Sequence, residues 1–430
     1  EYSMARLGRY TYLHRLLIAF GLLWGFGVTL LRGLRRPNDW AEAHWLITYD
    51  FGFLKRALPG TLLKLLISSP KNAEIAITII ASILTAAFYV VLIALSLSIL
   101  ERHLYSPNAV LAVAVYLTSP FIVMISHLNG YFDSQIILIT ILALILTLRG
   151  HRWAPAIVVS ISLLIHEPVF VFGFPSVLWA TLLMMGWNAI PVVPISSGRI
   201  ARHLAPFLLP FAVALILFAS QSFYIDATVI EQTLTVRLYD IPFIQNDQNV
   251  IVPRAFAKSF VAHFQSQSPR FWDRLLRPEM LVTVVPSLAA LLTFAGYTSR
   301  KGQMPGWLIA LGLILPVLPL GLFLIAWDVS RIWTYPLMVS FLALWTISRI
   351  LQPTRPLDVN SAILALLCGG VVVANLFSRI PLMDWRVERF SNLLRLLLYS
   401  PLLIVVILAI AQSLSNVYTN RNKKVELDSI

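Results

Sequence analysis

The sequence predicts an all-α fold, a polytopic transmembrane bundle of about twelve helices in a single domain spanning residues 1–430. Of the 430 residues, 58% are hydrophobic and only 12% are charged, a composition typical of integral membrane proteins. The apolar residues cluster in runs of roughly the length of a membrane span, and basic residues mark every second connection between the runs. These observations favour a chain that crosses a lipid bilayer many times.

The apolar runs define the predicted helices. They cover residues 16–31, 75–99, 108–126, 134–148, 154–166, 169–186, 204–220, 280–297, 306–327, 333–348, 360–377 and 397–414. The first run is long and is followed by arginines rather than a small-residue cleavage site, so we expect a span and not a signal peptide. Residues 153–186 form one tract, too long for a single span. Because proline disfavours a helical conformation in the residue before it, we expect a break at His166-Glu167-Pro168.

Basic residues in the short loops predict the orientation. They recur at alternate connections, for example at Arg102, Arg149 and Arg300. By the positive-inside rule, both termini are then cytoplasmic, in a protein of the plasma (inner) membrane. Two long loops face outward on this topology, residues 33–72 and 221–278. The net charge of +13 is explained by topology and anionic headgroups, so we expect membrane lipids and no nucleic acid as partners.

The first outer loop carries the densest chemistry. Between Pro37 and Gly60 it contains the candidate residues Asp39, Glu42, His44, Asp50, Lys55 and Arg56, interleaved with aromatic rings. Asp39 and Glu42 are three residues apart and therefore share one face of a helix. One of them could be a general base, or a ligand for a divalent cation. Alternatively, Asp39 begins a capping box and only stabilises the helix end.

The second half of this loop pairs an acid with two cations. Gly52 permits a tight turn that would present Asp50 beside Lys55 and Arg56, where a phosphate could bind. The alternative is a turn aspartate beside cations that reach for lipid headgroups. Leucines spaced by three and four within residues 53–67 predict a helix lying in the membrane interface, kinked at Pro59-Gly60.

Three further turns carry candidates. Glu167 lies at the end of an apolar helix, where an ionisable group is costly unless it is used, and His166 beside it can titrate. Asp328 and Arg331 are three apart, so they form either an intrahelical ion pair or a grip on a lipid phosphate. The remaining turn could bind sugar hydroxyls or could be a plain turn. It contains Asn129, Tyr131 and Asp133.

The acids in the first outer loop, followed by an interfacial helix, resemble the GT-C superfamily of integral membrane glycosyltransferases. The resemblance implies a polyprenyl-phosphate-linked or polyprenyl-diphosphate-linked sugar donor, and a glycan, lipid or protein acceptor. It implies that an acid of the first loop is the catalytic base or a metal ligand, which fits Asp39 and then Asp50, with Glu167 as a further catalytic candidate. There is no Asp-x-Asp motif, so the cofactor stays open, with Mg²⁺ or Mn²⁺ as the candidates.

Two other functions fit the same sequence. A polymerase or ligase could transfer whole glycans from a lipid diphosphate, with the 221–278 loop as the acceptor platform. A flippase for lipid-linked substrates or a secondary transporter would need no transfer chemistry. Transporters often contain paired repeats and polar residues near the bilayer midplane. This sequence has no visible repeat and its charges gather at one end of the helices, which favours an enzyme.

Overall fold

The computed structural model describes residues 2–67, 69–187, 197–224, 226–244, 248–351, 361–383, 388 and 390–428. Within these ranges the chain is helical and has no β-strand. The α-helices, numbered in chain order, are α1 (Tyr2–Gly33), α2 (Asp39–His44), α3 (Ala57–Lys64), α4 (Ala73–Arg102), α5 (Pro107–Leu117), α6 (Pro120–His127), α7 (Asp133–Leu148), α8 (Ala154–Ile165), α9 (Val169–Trp187), α10 (Ser197–Leu204), α11 (Leu208–Ala219), α12 (Ala227–Tyr239), α13 (Gln248–Ala257), α14 (Phe260–Gln267), α15 (Phe271–Leu275), α16 (Pro278–Lys301), α17 (Gly306–Ile314), α18 (Val329–Ile350), α19 (Ser361–Phe377), α20 (Asn392–Leu398) and α21 (Ser400–Asp428).

Several of these helices are long and apolar enough to cross a membrane. Among the described residues there are seven, and eight if the pair α20 and α21, bent by 66°, counts as one span. Three further apolar helices are shorter, namely Asp133–Leu148, Ala154–Ile165 and Ala362–Phe377. The chain is therefore an integral membrane protein by length and composition of its helices. The predicted count of twelve spans is not confirmed, because part of the apolar sequence lies in these shorter helices.

Prolines set several of the helix ends. The tract 153–186 divides into α8 and α9 around Pro168, as predicted from the sequence. The run 306–327 is not one α-helix. It begins as α17 and continues as a 3₁₀ helix from Leu315 to Leu324, which contains Pro316 and Pro319. Proline has no N–H for the i→i−4 bond, so two prolines three residues apart interrupt the α-helical hydrogen bonding.

Helix α18 lies at the centre of the bundle. Nearly all of its residues from Arg331 to Ile350 are buried. It packs against α4, α6, α9, α16 and the 3₁₀ helix Leu315–Leu324. Because it is surrounded by protein, its first turn is held in a fixed position relative to the other helix ends. That first turn carries Asp328 and Arg331.

The two predicted outer loops pack on each other. Side chains of α12 and α13, including Leu234, Val252 and Phe256, form one apolar cluster with Trp45 and Leu46 of the first loop. The segment 221–278, whose residues 225 and 245–247 lie outside the described ranges, is thus largely helical. This packing places α13 and α14 over the chain that precedes α3.

The predicted interfacial helix is shorter than the leucine pattern indicates. Helix α3 spans only Ala57–Lys64, and Pro59-Gly60 lie in its first turn without breaking it. The predicted kink is wrong because a proline in the first turn of a helix loses no hydrogen bond. Leu54 lies before the helix and is fully buried, whereas Leu65 is 79% exposed. The leucines therefore do not form one face.

A buried ion network fastens the chain after α19. Arg32, at the end of α1, forms a bidentate contact with Glu388, with its Nη2 donating to Oε2 at 3.0 Å. The same guanidinium donates to the carbonyl oxygens of Asn375 and Ser378, each at 2.9 Å. The side chains of Arg32 and Glu388 are fully buried. This network holds the segment that brings Met383 to the cavity described next.

Candidate functional site

A cavity of about 540 Å³ opens where several helix ends meet. Its walls come from the start of α2, the residues before α3, the α8–α9 connection, helices α13 and α14, and the start of α18. Its polar lining comprises Asn38, Asp39, Lys55, Arg56, Tyr131, His166, Glu167, Gln248, His263, Asp328, Arg331 and Tyr335. Its apolar lining includes Trp40, Phe256, Phe260, Trp327 and Met383. Most of the residues predicted from the sequence therefore share one cavity, although they come from distant parts of the chain.

Asn38, and not Asp39, caps helix α2. Asn38 has an extended backbone, with φ −106° and ψ 166°. Its side-chain oxygen accepts a hydrogen bond from the N–H of Ala41 at 3.1 Å. This bond satisfies one of the open N–H groups of the first turn. The prediction that Asp39 starts a capping box is wrong, because Asp39 is the first residue inside the helix and lines the cavity.

Arg56 and Glu167 form a two-pronged ion pair at the cavity wall. Arg56 adopts a left-handed backbone, with φ 62°, immediately before α3. Its Nε donates to both carboxylate oxygens of Glu167, at 2.8 and 3.1 Å, and its Nη2 donates to Oε1. Burial alone would raise the pKa of Glu167. Arg56 and His166 nevertheless hold this pKa well below its ordinary value. Glu167 is thus ionised and accepts hydrogen bonds from the donors around it. It is therefore better suited to positioning these neighbours than to accepting a proton.

His166 links this pair to α18, and its contacts define its tautomer. Its Nδ1 is 2.9 Å from Glu167 Oε2, and its Nε2 is 2.5 Å from Nη2 of Arg331. Arginine can only donate, so Nε2 accepts and the ring proton resides on Nδ1, from which it is donated to Glu167. Burial and the charge of Arg56 lower the pKa of His166 to about 4. The ring is therefore neutral and serves as a fixed bridge between the two arginines.

All three guanidinium nitrogens of Arg331 donate hydrogen bonds to protein side chains. Its Nε donates to Oδ1 of Asp133 at 2.8 Å, and its Nη1 donates to Oδ2 of Asp328 at 3.3 Å. Tyr335, one turn further along α18, donates to the same Asp133 oxygen. Asp133 is completely buried. Binding of a lipid phosphate by Arg331 stays a prediction. The contacts of Arg331 with Asp133 and Asp328 show that it stabilises the packing of the first turn of α18.

Asp328 precedes α18 and lines the cavity. The predicted ion pair with Arg331, three residues on, is present. Burial raises the pKa of Asp328 despite the nearby arginine. Its second oxygen, Oδ1, is buried and receives no hydrogen bond from any described residue. An unsatisfied carboxylate oxygen beside a polar cavity is a position where a ligand donor would be stabilised.

Lys55 also lines the cavity. It is 4% exposed, and its Nζ donates to the carbonyl oxygen of Lys258 at 3.1 Å and lies 3.3 Å from Nε2 of His263. It also lies 5.4 Å from the centre of the Phe260 ring. Burial lowers the pKa of Lys55 to about 7. Its charge therefore changes close to neutral pH, and its contacts fasten the α13–α14 corner to the first loop.

The structure does not bring Asp50 to the cavity. Its carboxylate accepts hydrogen bonds from Lys64 Nζ at 2.7 Å and from Thr48 Oγ1 at 3.0 Å, and its side chain is 45% exposed. The hydrogen bond from Lys64 lowers the pKa of Asp50. The expected grouping of Asp50 with Lys55 and Arg56 is therefore wrong. Gly52 does form a turn, with φ 102°, but the turn directs the two cations inward and away from Asp50.

Three other predicted residues are buried beside the cavity but do not line it. Glu42 is 6% exposed, and burial together with Glu74 raises its pKa to about 7. His44 lies 4.9 Å from the ring of Phe256, and burial lowers its pKa. Asn129 accepts from Thr85 at 3.1 Å and donates to the Arg35 carbonyl at 3.2 Å. Their predicted role in binding substrate is not supported by this placement.

Four polar residues of the cavity were missed by the sequence reasoning, namely Asn38, Gln248, His263 and Tyr335. Tyr335 lies four residues after Arg331, so a search for i,i+4 neighbours on the predicted helix would have found it. His263 carries no comparable local signal. It reaches the cavity only because α13 and α14 pack over the first loop, which is a tertiary contact.

The described residues contain no group of three or more His, Cys, Asp or Glu side chains arranged to hold a metal ion. Two of the cavity acids are instead paired with cations, Glu167 with Arg56 and Asp328 with Arg331, and Arg331 also pairs with the buried Asp133. This donor set does not fit Mg²⁺ or Mn²⁺, which prefer several converging oxygen ligands. We therefore assign no step of the proposed reaction to a metal.

Comparison with protein-family models, with curated proteins and with solved structures finds no match.

Proposed function

We propose that the chain is a membrane glycosyltransferase of GT-C type, which moves a sugar from a polyprenyl-phosphate-linked donor to an acceptor hydroxyl. The observation that carries this proposal is the cavity itself. It combines a carboxylate that is not used as a helix cap, Asp39, with the cations Lys55 and Arg56 and with aromatic walls. These are the groups that a proton transfer beside a departing phosphate requires.

In the proposed reaction Asp39 accepts the proton of the acceptor hydroxyl. The acceptor oxygen then forms a bond to the anomeric carbon of the sugar, and the bond from that carbon to the phosphate oxygen breaks. The electron pair of that bond stays with the departing lipid phosphate. Arg56 is the better placed cation for it, because its Nη1 makes no hydrogen bond with a described residue while Nε and Nη2 are fixed on Glu167.

The test of this function uses purified protein in lipid nanodiscs. Farnesyl phosphate esters of glucose, mannose and galactose serve as soluble donors, with a membrane extract as the source of acceptors. Release of farnesyl phosphate together with sugar incorporation into the extract is the expected result. Movement of the intact donor across proteoliposomes without its consumption would instead support the flippase alternative.

We also propose that the cavity lies on the outer face of the plasma (inner) membrane, with both termini in the cytoplasm. The positive-inside pattern of the short loops supports this orientation. Cys368 is the only cysteine of the chain and is buried, so single cysteines can be introduced against a silent background. An impermeant maleimide should label Ser266→Cys in intact cells and should not label Lys301→Cys. Labelling of position 301 alone would invert the orientation.

A further inference from the structure

The start of α18 offers a hydrogen-bond acceptor that no described residue uses. Asp328 lines the cavity with 16% of its side chain exposed. Its Oδ1 is buried and accepts no hydrogen bond from a described residue, whereas Oδ2 is paired with Nη1 of Arg331 at 3.3 Å. Buried carboxylate oxygens normally receive hydrogen bonds, because leaving one without a donor loses the solvation it had in water. A donor on a molecule bound in the cavity would satisfy this oxygen.

The position of Asp328 Oδ1 is fixed by the hydrogen bonds of Arg331, which holds the other carboxylate oxygen. Arg331 holds Asp328 and is itself held by Asp133 at 2.8 Å and by His166 at 2.5 Å. His166 is anchored in turn by Glu167. The carboxylate of Asp328 therefore cannot turn away from the cavity without breaking a buried ion network. Such a preorganised acceptor selects ligands by the position of their donors.

An aromatic surface adjoins the acceptor. Trp327, the residue before Asp328, also lines the cavity and is 57% exposed. A sugar ring has apolar C–H faces and an edge of hydroxyl donors, so an exposed indole beside an acceptor oxygen complements both. The phosphodiester of a lipid-linked sugar is ionised and carries no O–H donor, and the cations Lys55 and Arg56 are on other segments.

We propose that Asp328 Oδ1, with Trp327 beside it, is the binding point for a hydroxyl of the donor sugar and determines sugar specificity. This inference rests on the proposed function and deepens it, since it separates recognition of the sugar from recognition of the lipid phosphate. Asp328 is a binding residue here and takes no part in bond breaking.

The substitution Asp328→Asn tests this role without removing the side chain. Because Arg331 can only donate, the amide oxygen must face Arg331, and the NH₂ group then occupies the position of Oδ1. The acceptor becomes a neutral donor, and the charge-assisted hydrogen bond to the sugar is lost. Such bonds correspond to about a 10- to 100-fold change in affinity.

The experiment measures binding of two probes to purified protein in nanodiscs, namely farnesyl phosphate and its glucosyl, mannosyl or galactosyl ester. The wild type should bind at least one of the esters more tightly than farnesyl phosphate. Asp328→Asn should lose that preference by about 10- to 100-fold while its affinity for farnesyl phosphate is unchanged. Asp273→Asn is the matched control, because Asp273 is exposed and does not line the cavity.

Each other result contradicts a defined part of the reasoning. Equal binding of ester and bare phosphate by the wild type, or an unchanged preference in Asp328→Asn, overturns the role of Asp328 and leaves the proposed function standing. Absence of binding of every probe by the wild type contradicts both. A melting temperature of Asp328→Asn equal to that of the wild type confirms that the variant is folded, and Trp327→Ala then supplies a second, independent loss of the preference.

Discussion

Replacing Asp39 with Asn separates its catalytic role from a structural one. Asn38 supplies the capping hydrogen bond of α2, so the loss of the Asp39 carboxylate should cost less than about 1 kcal/mol of folding free energy. If Asp39 takes the acceptor proton, kcat should fall about 100- to 10,000-fold, since an amide cannot accept that proton. This corresponds to about 2.7–5.5 kcal/mol of activation free energy.

The assay combines turnover and stability on the same preparations. Turnover is measured as release of farnesyl phosphate from the donor that the wild type accepts, and stability as the midpoint of unfolding. Asn38→Ala is the structural comparison and should lower the free energy of unfolding by about 1 kcal/mol, because it removes the cap. Asp273→Asn should leave both quantities unchanged, because Asp273 is exposed and does not line the cavity.

A fully active Asp39→Asn variant would refute the assignment of the base. The catalytic base would then be another acid of the cavity. Glu167 is disfavoured for this role because Arg56 and His166 already donate to its oxygens. Asp50→Asn should in any case be nearly silent in turnover, because the Asp50 carboxylate is paired with Lys64 outside the cavity.

The remaining predictions concern charge. Because the pKa of Lys55 is lowered to about 7, its positive charge is lost as pH rises through about 7. The KM for a phosphate-bearing donor should therefore rise above that pH, and a Lys55→Arg variant should show a flatter pH profile; identical profiles would contradict a role in phosphate binding. The pKa of Glu42 is raised from 4.5 to about 7, so the unfolded chain gives up this proton first and stability falls as pH rises from about 4.5 to about 7. Glu42→Gln should remove that fall, measured as unfolding midpoints at pH 5 and pH 8, and an unchanged difference would show that other groups cause it. Arg331→Lys should lower the free energy of unfolding by about 1.5–3 kcal/mol for each charge-assisted hydrogen bond that lysine cannot remake. An effect on KM alone, with unchanged stability, would instead favour a direct grip on phosphate.

The sequence determined the class of the protein and the approximate positions of its apolar helices. Apolar runs of sufficient length must be buried in lipid or protein, and their backbone can satisfy its hydrogen bonds only within helices. Local rules also located the break at Pro168 and the ion pair of Asp328 with Arg331, since both depend on neighbours within four residues. The same rules offered Asp39 as a possible cap of α2, one residue too far, because Asn and Asp cap equally well.

The tertiary structure decided which of these residues act together. Asp50 and Lys55 are five residues apart in the sequence, yet the left-handed residue Arg56 and the turn at Gly52 direct Lys55 inward and leave Asp50 on the surface. Glu167 and Arg56 are 111 residues apart and form one ion pair. Local patterns cannot predict such pairs, because each depends on how whole helices pack. The sequence alone therefore specified the apolar helices and the candidate charges. Only the packing around α18 brought those charges into one cavity, because a buried charge is stabilised by a partner, and these partners come from other parts of the chain.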